Sequence, residues 1–521
     1  MIGYQFLIEI DAKTSSGTPE TLYFCCASGA SGFTGLGSDG NSHTWLPRIV
    51  DPGLIQKNLF SGDKISGPST CTFGEVVLGN FKKLTESAGP IDALKNYRFY
   101  GSKIRMYFGL NNATSLSGFT QAYSAIVENP TVGWETISFA IRGPQADLDV
   151  PLYTTTFLGN NVLPDGLEGN IDLKDKLKPV VLGRVYNISP VLCNSYKLIY
   201  AVTPFTGLSA GELNSDLHVY DNGVELYCAG VVSDIEAAGF PPFGQFYASV
   251  AGYIRLGVAP AGVLTCNAAQ QGYALIATPS NLVDYVLDNT SHSSMVDSNS
   301  YTGFAPTDGY ERGLFLSGST NISTIIDQLV APIGYWFFTP LGKIVLGVLK
   351  DPSTMTSVYT FTKDVNILNF TRRKTSDTTG GVPANKITVS YNKNYTLESQ
   401  PTWDLPVDRK TWLNTEVRSI SVVPGAVQDL AEELIFDSAC SRSNTLHTGT
   451  LETLHCVERE IIDIDWLWLS TTDFLTVSRI PLGSCVTVNL LGRFGYSSKK
   501  MLVVAMTINH VDESVKLSVW G

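Results

Sequence analysis

Apolar and polar residues alternate through most of this 521-residue sequence, which is the pattern of strands with one buried face. The segment YDNGVEL (220–226) places Asn-Gly between strand formers and predicts a tight hairpin. Residues 1–10 have no basic segment before their apolar residues, so they are predicted to form a first strand rather than a secretion signal. Five further segments are predicted strands: GEVVLGN (74–80), SKIRMYFG (102–109), WETISFAIRG (134–143), NKITVSYN (385–392) and CVTVNLLG (485–492).

Two segments have the apolar spacing of a helix instead, with one apolar stripe each, and are predicted to pack on a sheet or barrel. In NISTIIDQLVAPIG, Asn321 or Ser323 can serve as the N-cap. Its stripe consists of Ile322, Ile325, Ile326, Leu329 and Val330. The second segment, PGAVQDLAEELIFDSA, opens at Pro424. Its stripe consists of Val427, Leu430, Ala431, Leu434 and Ile435.

The most apolar stretch of the chain runs from Leu329 to Leu349. It contains Lys343 near its middle and prolines at 332 and 340, which disfavour a membrane-spanning helix. We therefore expect no transmembrane segment here, but the end of a helix followed by a buried hairpin that turns at residues 340–342.

Similar hairpins close two predicted all-β domains, one early in the chain at residues 122–143 and one at the C-terminus at residues 502–521. They predict two related β-barrels that flank an inserted middle, in a mainly β, multidomain fold with a few helices. In the second hairpin, Val504, Met506 and Ile508 are predicted to share one buried face with Leu517 and Val519. Polar stretches place the boundaries, and the predicted domains are 1–150, a first β-barrel; 151–290, an inserted β-rich domain; 291–365, a small α+β domain; and 366–521, a second β-barrel with one helix.

The composition supports a fold of short strands, and the net charge disfavours nucleic acid as a binding partner. Charged residues are 16% of the chain, hydrophobic residues are 44%, and Gly and Pro together number 72 (47 plus 25). This is less charge than the roughly 25% of an average soluble protein, with many turn formers. The net charge of −12 disfavours a protein that binds nucleic acid specifically.

The stretch GLGSDG (35–40) matches G-x-G-x-x-G, the fingerprint of dinucleotide-binding sites. Such a site needs a strand that ends at the first glycine and a helix that begins at the third. Here Pro47 and strand formers follow, so Gly35, Gly37 and Gly40 are predicted to lie in a loop between two strands without binding a nucleotide.

Other candidate chemistry is weak. The nine cysteines are odd in number and lack C-x-x-C spacing, so we expect reduced thiols without disulfide or metal. His455 and Cys456 are predicted to lie on one long strand, TLETLHCVEREIIDIDWLWL, where neighbours point to opposite faces and cannot form a catalytic pair. Two acidic pairs, Asp463 with Asp465 on a strand and Glu432 with Glu433 on a helix, are expected by chance among 48 acidic residues. We therefore predict no catalytic, cofactor-binding or metal-ligating residues and no enzymatic activity.

Several phrases resemble baseplate hub and tail-tip proteins of long-tailed bacteriophages and gene transfer agents. The N-terminal phrases are LFSGDKISGPSTCTFGEVVLGNFKKL and GPIDALKNYRFYGSKIRMYFG, within residues 59–109. DLKDKLKPVVLGRVYNISPVL (172–192), YIRLGVAPAGVLTCNA (253–268) and the C-terminal SSKKMLVVAMTINHVDESVKLSVWG follow in order. The resemblance touches both ends and the middle of the chain.

This resemblance implies tube-type β-barrels, two in each subunit of a homotrimeric ring that joins the sixfold tail tube to threefold tip components and gates the DNA channel. The implied partners are the tail tube or distal tail protein, the tape measure protein and a central fibre, at the tail tip of a virion made in the bacterial cytoplasm. DNA would pass through the ring without being bound. Iron-sulfur clusters of some relatives need clustered cysteines, which this sequence lacks. The alternatives are a receptor- or glycan-binding distal tail or fibre protein and, less favoured, a cell-wall hydrolase.

Overall fold

Strands form most of the regular backbone in the computed structural model of this chain, and they belong to several separate sheets. The structure describes residues 4–26, 33–60, 69–81, 89–110, 113, 115–208, 217–270, 272, 278–304, 310–373, 383–402, 404–424, 433–466, 471–492, 495–512 and 514–521. Within these residues the fold is mainly β with six α-helices, as the alternating pattern predicts.

The N-terminal part contains thirteen of the described strands. They are β1 (Tyr4–Thr14), β2 (Pro19–Cys26), β3 (Phe33–Leu36), β4 (Ser42–Asp51), β5 (Leu54–Asn58), β6 (Thr70–Phe73), β7 (Val76–Gly79), β8 (Tyr97–Arg98), β9 (Ser102–Leu110), β10 (Phe119–Val127), β11 (Thr131–Val132), β12 (Thr136–Phe139) and β13 (Ile141–Arg142). The N-terminal sheet has the order β11-β12-β7-β4-β2-β1-β9-β10-β13, with β3 on β4 and β8 on β1. Strands β5 and β6 belong to a different sheet.

The middle of the chain forms a second large sheet. Its strands are β14 (Val180–Ile188), β15 (Val191–Asn194), β16 (Ile199–Ala201), β17 (His218–Asp221), β18 (Val224–Val231), β19 (Gln245–Ser249), β20 (Tyr253–Leu256), β21 (Leu264–Ala269) and β22 (Gly313–Leu316). They pair in the order β15-β16-β20-β19-β18-β17-β21-β14-β22. Asn222 and Gly223 turn β17 into β18 with φ angles of 49° and 83°, which confirms the predicted Asn-Gly hairpin.

A smaller unit of helices and a hairpin follows the middle sheet along the chain. The helices of this part are α1 (Pro279–Asp288), α2 (Ser298–Phe304) and α3 (Ile322–Val330), and the hairpin consists of β23 (Gly334–Phe338) and β24 (Ile344–Val348). The five predicted stripe residues of α3 are all buried. The predicted helix end and the hairpin turn near residue 340 are therefore confirmed.

The C-terminal part contains two sheets and three helices. Its strands are β25 (Thr360–Thr362), β26 (Ile367–Arg372), β27 (Lys386–Tyr391), β28 (Arg418–Val422), β29 (Glu433–Phe436), β30 (Ile461–Trp466), β31 (Cys485–Asn489), β32 (Lys499–Asn509) and β33 (Ser514–Trp520). Its helices are α4 (Val407–Leu413), α5 (Thr445–His455) and α6 (Thr471–Ser478). The C-terminal sheet has the order β25-β31-β32-β33-β30-β26, and β28, β27 and β29 form a small sheet of their own.

The five segments with the clearest alternation all contain strands of this structure, β7, β9, β12 with β13, β27 and β31. The C-terminal hairpin is also present as β32 and β33. Local alternation was therefore a reliable guide wherever it extended over one sheet strand. The hairpin predicted at residues 122–143 is wrong in its pairing, because β12 pairs with β7 and, of the returning strands, only β13 pairs with β10.

Two helix and strand predictions are wrong. Leu434 and Ile435, predicted in a helix, lie in β29, because this segment pairs in parallel with β27 and packs the partly buried Leu434 and Phe436 against one core cluster. The other stripe residues, Val427, Leu430 and Ala431, lie outside the described residues. Conversely, the first residues of TLETLHCVEREIIDIDWLWL belong to α5, whose N-cap Asn444 accepts hydrogen bonds from the backbone of residues 446 and 447.

The face predicted for the C-terminal hairpin is wrong at one residue. Met506 and Ile508 share a core cluster with Leu517 and Val519, but Val504 packs in another cluster with Leu502 and Trp520. The reason is a register shift between Val503 and Ala505 in the pairing of β32 with β33. An extra residue in one strand reverses the alternation of faces beyond it.

None of the helices in the described part of the chain has the length and apolar character that crossing a bilayer would require.

Replacement of Ile326 by Ala is expected to destabilise the fold by about 2–5 kcal/mol, because a fully buried side chain of α3 leaves a cavity. The measurement is urea denaturation followed by circular dichroism. Thr324 is exposed on the same helix, so Thr324→Ala is the matched control and should change the free energy of unfolding by less than about 0.5 kcal/mol. Equal effects of the two substitutions would contradict the packing described here.

Candidate functional site

Strand β5 leaves the N-terminal sheet and adds to the C-terminal sheet; we call this pairing the joint. The chain crosses between the sheets at Pro52 and Gly53, directly after β4. Gly53 has a φ of 81°, and a Cβ there would lie 3.0 Å from the carbonyl oxygen of Gly74. The crossing therefore depends on a residue without a side chain at this point.

The joint is an antiparallel ladder of five residue pairs, from Asn58 opposite Ala505 to Leu54 opposite Asn509. The ladder is extended by a hydrogen bond of 2.7 Å from the backbone N–H of Leu59 to the carbonyl oxygen of Val504. On its outer side β5 pairs with β6, so a complete hairpin from the N-terminal part is built into the C-terminal sheet. Residues more than 440 positions apart in the sequence thus share one sheet.

Apolar side chains bury one face of the joint. Ile55 and Leu59 from the N-terminal part belong to the same core cluster as Met506 and Ile508 from β32. All four are at most 2% exposed. Burial of each such side chain contributes about 1.5–3 kcal/mol relative to leaving it in water, so the two parts of the chain stabilise each other.

An aromatic cluster beside the joint contains His510, which follows β32. Its ring centroid lies 5.4 Å from that of Phe108 on β9 and 5.8 Å from that of Phe474 on α6. Phe6 on β1 approaches edge-on at 6.5 Å. Burial lowers the pKa of His510 to about 4, because the charged ring would lose its hydration among apolar neighbours.

Gly35 lies in β3, paired with His43, so its predicted place in the loop is wrong; residues 37–40 of GLGSDG lie in the connection from β3 to its antiparallel partner β4, and β4 rather than a helix follows. A carboxylate of the protein itself contacts this loop: the backbone N–H of Ser38 donates a 2.7 Å hydrogen bond to Oε1 of Glu9. Glu9 is fully buried and its Oε2 accepts from Arg105 at 2.8 Å. The loop N–H group that a phosphate would need is therefore already bound to a carboxylate.

The acidic pairs and His455, the other candidates from the sequence, have structural surroundings in the fold wherever the structure describes them. Asp463 and Asp465 do share a face of β30, where Asp463 binds Arg373 and Asp465 contacts Lys516, so both act as partners of cations. Glu433 lies in β29 instead of a helix, and Glu432 is outside the described residues. His455 ends α5 and is buried; its pKa is lowered to about 4 by burial, with a further contribution from Arg459.

All nine cysteines lie among the described residues, and none forms a disulfide. The described residues also contain no group of three or more His, Cys, Asp or Glu side chains arranged to hold a metal ion. Sequence reasoning missed a cluster of Arg312, Cys440 and His447. Cys440 lines a cavity of ≈ 810 Å³. No local signal could reveal the cluster, since Arg312 is 128 residues from Cys440.

Substitution of Ile55 by Asp is expected to destabilise the protein by about 3 kcal/mol or more, because it replaces a buried apolar side chain of the joint with a carboxylate that loses its hydration. Gln56 is exposed and adjacent, so Gln56→Asp is the control and should have little effect. The measurement is the urea midpoint by tryptophan fluorescence. If Ile55→Asp and Gln56→Asp have the same midpoint, the joint is not part of the stable fold.

Acidification should weaken the fold through His510. Its pKa is lowered in the folded state, so the unfolded chain binds a proton first, near pH 6.5, and stability falls as the pH drops toward 4. His510→Phe should remove about 2 kcal/mol of the stability lost by the native protein between pH 7 and pH 5. The measurement is the free energy of unfolding at both pH values.

The control for this pH dependence is His292→Phe, at a half-buried position. His455 keeps its own contribution of the same sign in both variants. A difference between native protein and His510→Phe that stays constant from pH 7 to pH 5 would mean that His510 is not held neutral.

No protein-family model matches this sequence. Curated proteins give no match either. Solved structures do match. The 43 kDa tail protein of prophage MuSo2 from Shewanella oneidensis is 9% identical, over 99% of this chain and 97% of that chain, with a TM-score of 0.39.

The tail protein from Neisseria meningitidis MC58 is 10% identical over 100% of this chain and 97% of that chain, with a TM-score of 0.36. A chain from the virion of a native gene transfer agent particle is 12% identical over 66% of this chain and 84% of that chain, with a TM-score of 0.37. The solved structures that this chain resembles thus include tail proteins and part of a gene transfer agent virion.

Proposed function

We propose that this protein is a structural, non-enzymatic hub of a phage-type tail tip. Three copies form a ring that joins the sixfold tail tube to threefold tip components and surrounds the DNA channel. The proposal is in keeping with the tail proteins named above, but it rests on the joint and on the phrases that resemble hub proteins.

The joint is the observation that carries this proposal. By adding β5 to β32, it fixes the N-terminal and C-terminal sheets of one chain against each other through a shared core. A chain built this way holds two β-units in a fixed relative orientation. Three such chains would therefore present six β-units. In this proposal the two outer sheets form the tube-type barrels predicted for domains 1–150 and 366–521, with β5, β6 and β25 added to the second barrel from outside its predicted bounds.

The ends of the outer sheets are suited to contact with a second copy of the chain. Among the described strands, β11 and β13 end the main path of the N-terminal sheet, and β25, β26 and the added β6 are terminal strands of the C-terminal sheet. Terminal strands leave backbone N–H and C=O groups available for pairing. Beside β11, Trp134 is 89% exposed, a large apolar surface for a subunit contact.

The charge of the chain fits a conduit for DNA. With a net charge of −12, the protein as a whole repels the phosphate backbone of DNA. DNA could then pass through the ring without being retained.

A second candidate function is binding of a host glycan, in keeping with a distal tail or fibre protein. The observation in its favour is Phe243, which is 86% exposed in the segment between β18 and β19. Nearby, the guanidinium of Arg255 stacks over the ring of Phe240 at 4.5 Å. Exposed aromatic rings of this kind can serve as platforms for sugars, so Phe243 separates the two proposals experimentally.

At high protein concentration we expect a mass near three times 56.5 kDa by light scattering, and a ring of six similar lobes by negative-stain microscopy. Trp134→Ser should reduce the trimer fraction at least tenfold at a concentration where the native protein is half assembled, because the apolar contact is lost. The control is Phe243→Ser, which removes an equally exposed aromatic ring from another part of the chain.

A folded monomer that images as an elongated rod would contradict the hub proposal. Glycan binding on an array that is abolished by Phe243→Ser, with no ring in any condition, would favour the second candidate.

A further inference from the structure

Cys440 lies in a buried cluster with an arginine and a histidine. The guanidinium of Arg312 donates a hydrogen bond to Sγ of Cys440, and Nδ1 of His447 lies 3.7 Å from the same sulfur. Nη2 of Arg312 lies 3.4 Å from Nε2 of His447. Arg312 and His447 are fully buried, and Cys440 is 2% exposed.

This geometry determines where the proton of His447 resides. A guanidinium can donate hydrogen bonds but cannot accept them, so Nε2 of His447 is the acceptor in its contact with Arg312. The neutral imidazole then carries its proton on Nδ1, directed at Sγ of Cys440. The sulfur thus faces two donors, one of them permanently charged, and this environment stabilises a thiolate.

Backbone contacts hold the cluster in place. Arg312 precedes β22 and forms an isolated antiparallel bridge with Cys440, next to a 2.8 Å hydrogen bond from the N–H of Gly313 to the carbonyl oxygen of Ala439. A Cβ on Gly313 would lie 1.6 Å from the carbonyl oxygen of Arg184, so no side chain fits there. Nε of Arg312 also donates to the carbonyl oxygen of Leu329 at 3.1 Å.

The other cysteines provide an internal comparison. All nine are described, and burial raises the pKa of eight of them, for example to about 11 for Cys456. Burial acts in the same direction on Cys440, but Arg312 and His447 outweigh it and lower the pKa of that thiol. Since Cys228 and Cys456 are more exposed than Cys440, accessibility and thiolate character predict opposite orders of reactivity.

The cluster borders a cavity large enough for a small molecule. The cavity has a volume of ≈ 810 Å³ and is bounded by β22, α3, β23 and the segment around Cys440. Four polar residues, Ser390, Asp437, Ser438 and Ser441, also line this cavity. Cys440 is itself a lining residue, so a reagent held in the cavity lies beside it.

We infer that Cys440 is a thiol-exchange site that takes the disulfide of a small thiol from this cavity. The thiolate Sγ attacks one sulfur of the incoming disulfide, a new S–S bond forms to Cys440, and the original S–S bond breaks. The second sulfur leaves as a thiolate and takes a proton from water. The electron pair moves from Cys440 to the leaving sulfur, so no further oxidant is needed.

The test compares the labelling rates of individual cysteines in the folded full-length chain, by mass spectrometry of peptides. With iodoacetamide at pH 7, Cys440 should react at least tenfold faster than Cys228 and Cys456. The rate at Cys440 should also level off at a lower pH than the rate at Cys456. With oxidised glutathione, the first mixed disulfide should form at Cys440.

Substitutions in the cluster separate thiolate chemistry from simple access. Arg312→Met and His447→Gln should each slow alkylation of Cys440 at least tenfold and leave the rate at Cys456 unchanged. Cys25 and Cys266 are fully buried and report on folding, because they stay unlabelled only in a folded chain. If Arg312→Met exposes them, His447→Gln carries the comparison.

Labelling in the order of exposure, with Cys228 and Cys456 ahead of Cys440, would overturn the inference. So would alkylation of Cys440 that the cluster variants leave unchanged in a folded chain. Alkylation without a mixed disulfide from oxidised glutathione would overturn the exchange step.

Discussion

The pairing of β5 with β32 is the constraint on which the arrangement of the two outer sheets depends. In the described part of the chain, this pairing is the one place where strands of the N-terminal part join the C-terminal sheet. With it, five backbone pairs fix the register, and the register places Ile55 and Leu59 on the same face as Met506 and Ile508. A shift of one residue would turn these side chains away from the core, so ladder and core specify each other.

The same pairing has consequences for folding. Strand β5 is made early and β32 late in synthesis, so the C-terminal sheet can accept its added hairpin only after nearly the whole chain exists. Contacts between residues so far apart are slow to form, because a long segment must be ordered before they contribute. His510 adds to this dependence, since its aromatic neighbours come from β1, β9 and α6.

The sequence could predict features that depend on residues close together along the chain, and it could not predict contacts between residues far apart. The segments 102–109 and 485–492 were predicted correctly because strand-forming apolar residues dominate both, although β9 is buried on both of its faces from Met106 to Gly109. The joint could not be predicted, since Leu54–Asn58 has the composition of an ordinary strand. Its sequence does not indicate which distant strand it pairs with. The bulge at Val504 and the pairing of Leu434 with β27 are likewise tertiary effects that override a local pattern.

For the candidate site, the sequence indicated which motif elements are missing, but it did not indicate which distant residues come into contact. The GLGSDG loop lacks a following helix, and this was visible in the sequence. That Glu9 would bind the N–H of Ser38 was not, because 29 residues separate them. The Arg312 cluster is the extreme case: its members come from three segments, joined where Gly313 approaches the backbone of Arg184.

Open sheet ends would be a liability for a protein that must assemble in one way only. Strand β26, at one end of the C-terminal sheet, carries Arg372, which pairs with Glu460, and it is followed by Arg373, which pairs with Asp463. Charged side chains on a terminal strand oppose indiscriminate pairing with other strands, because a new neighbour would have to desolvate them. A partner with complementary charges and a matching edge offsets part of this desolvation cost. The sheet ends therefore combine available backbone groups with charges that select which strands can pair with them, as the proposed ring of subunits would need.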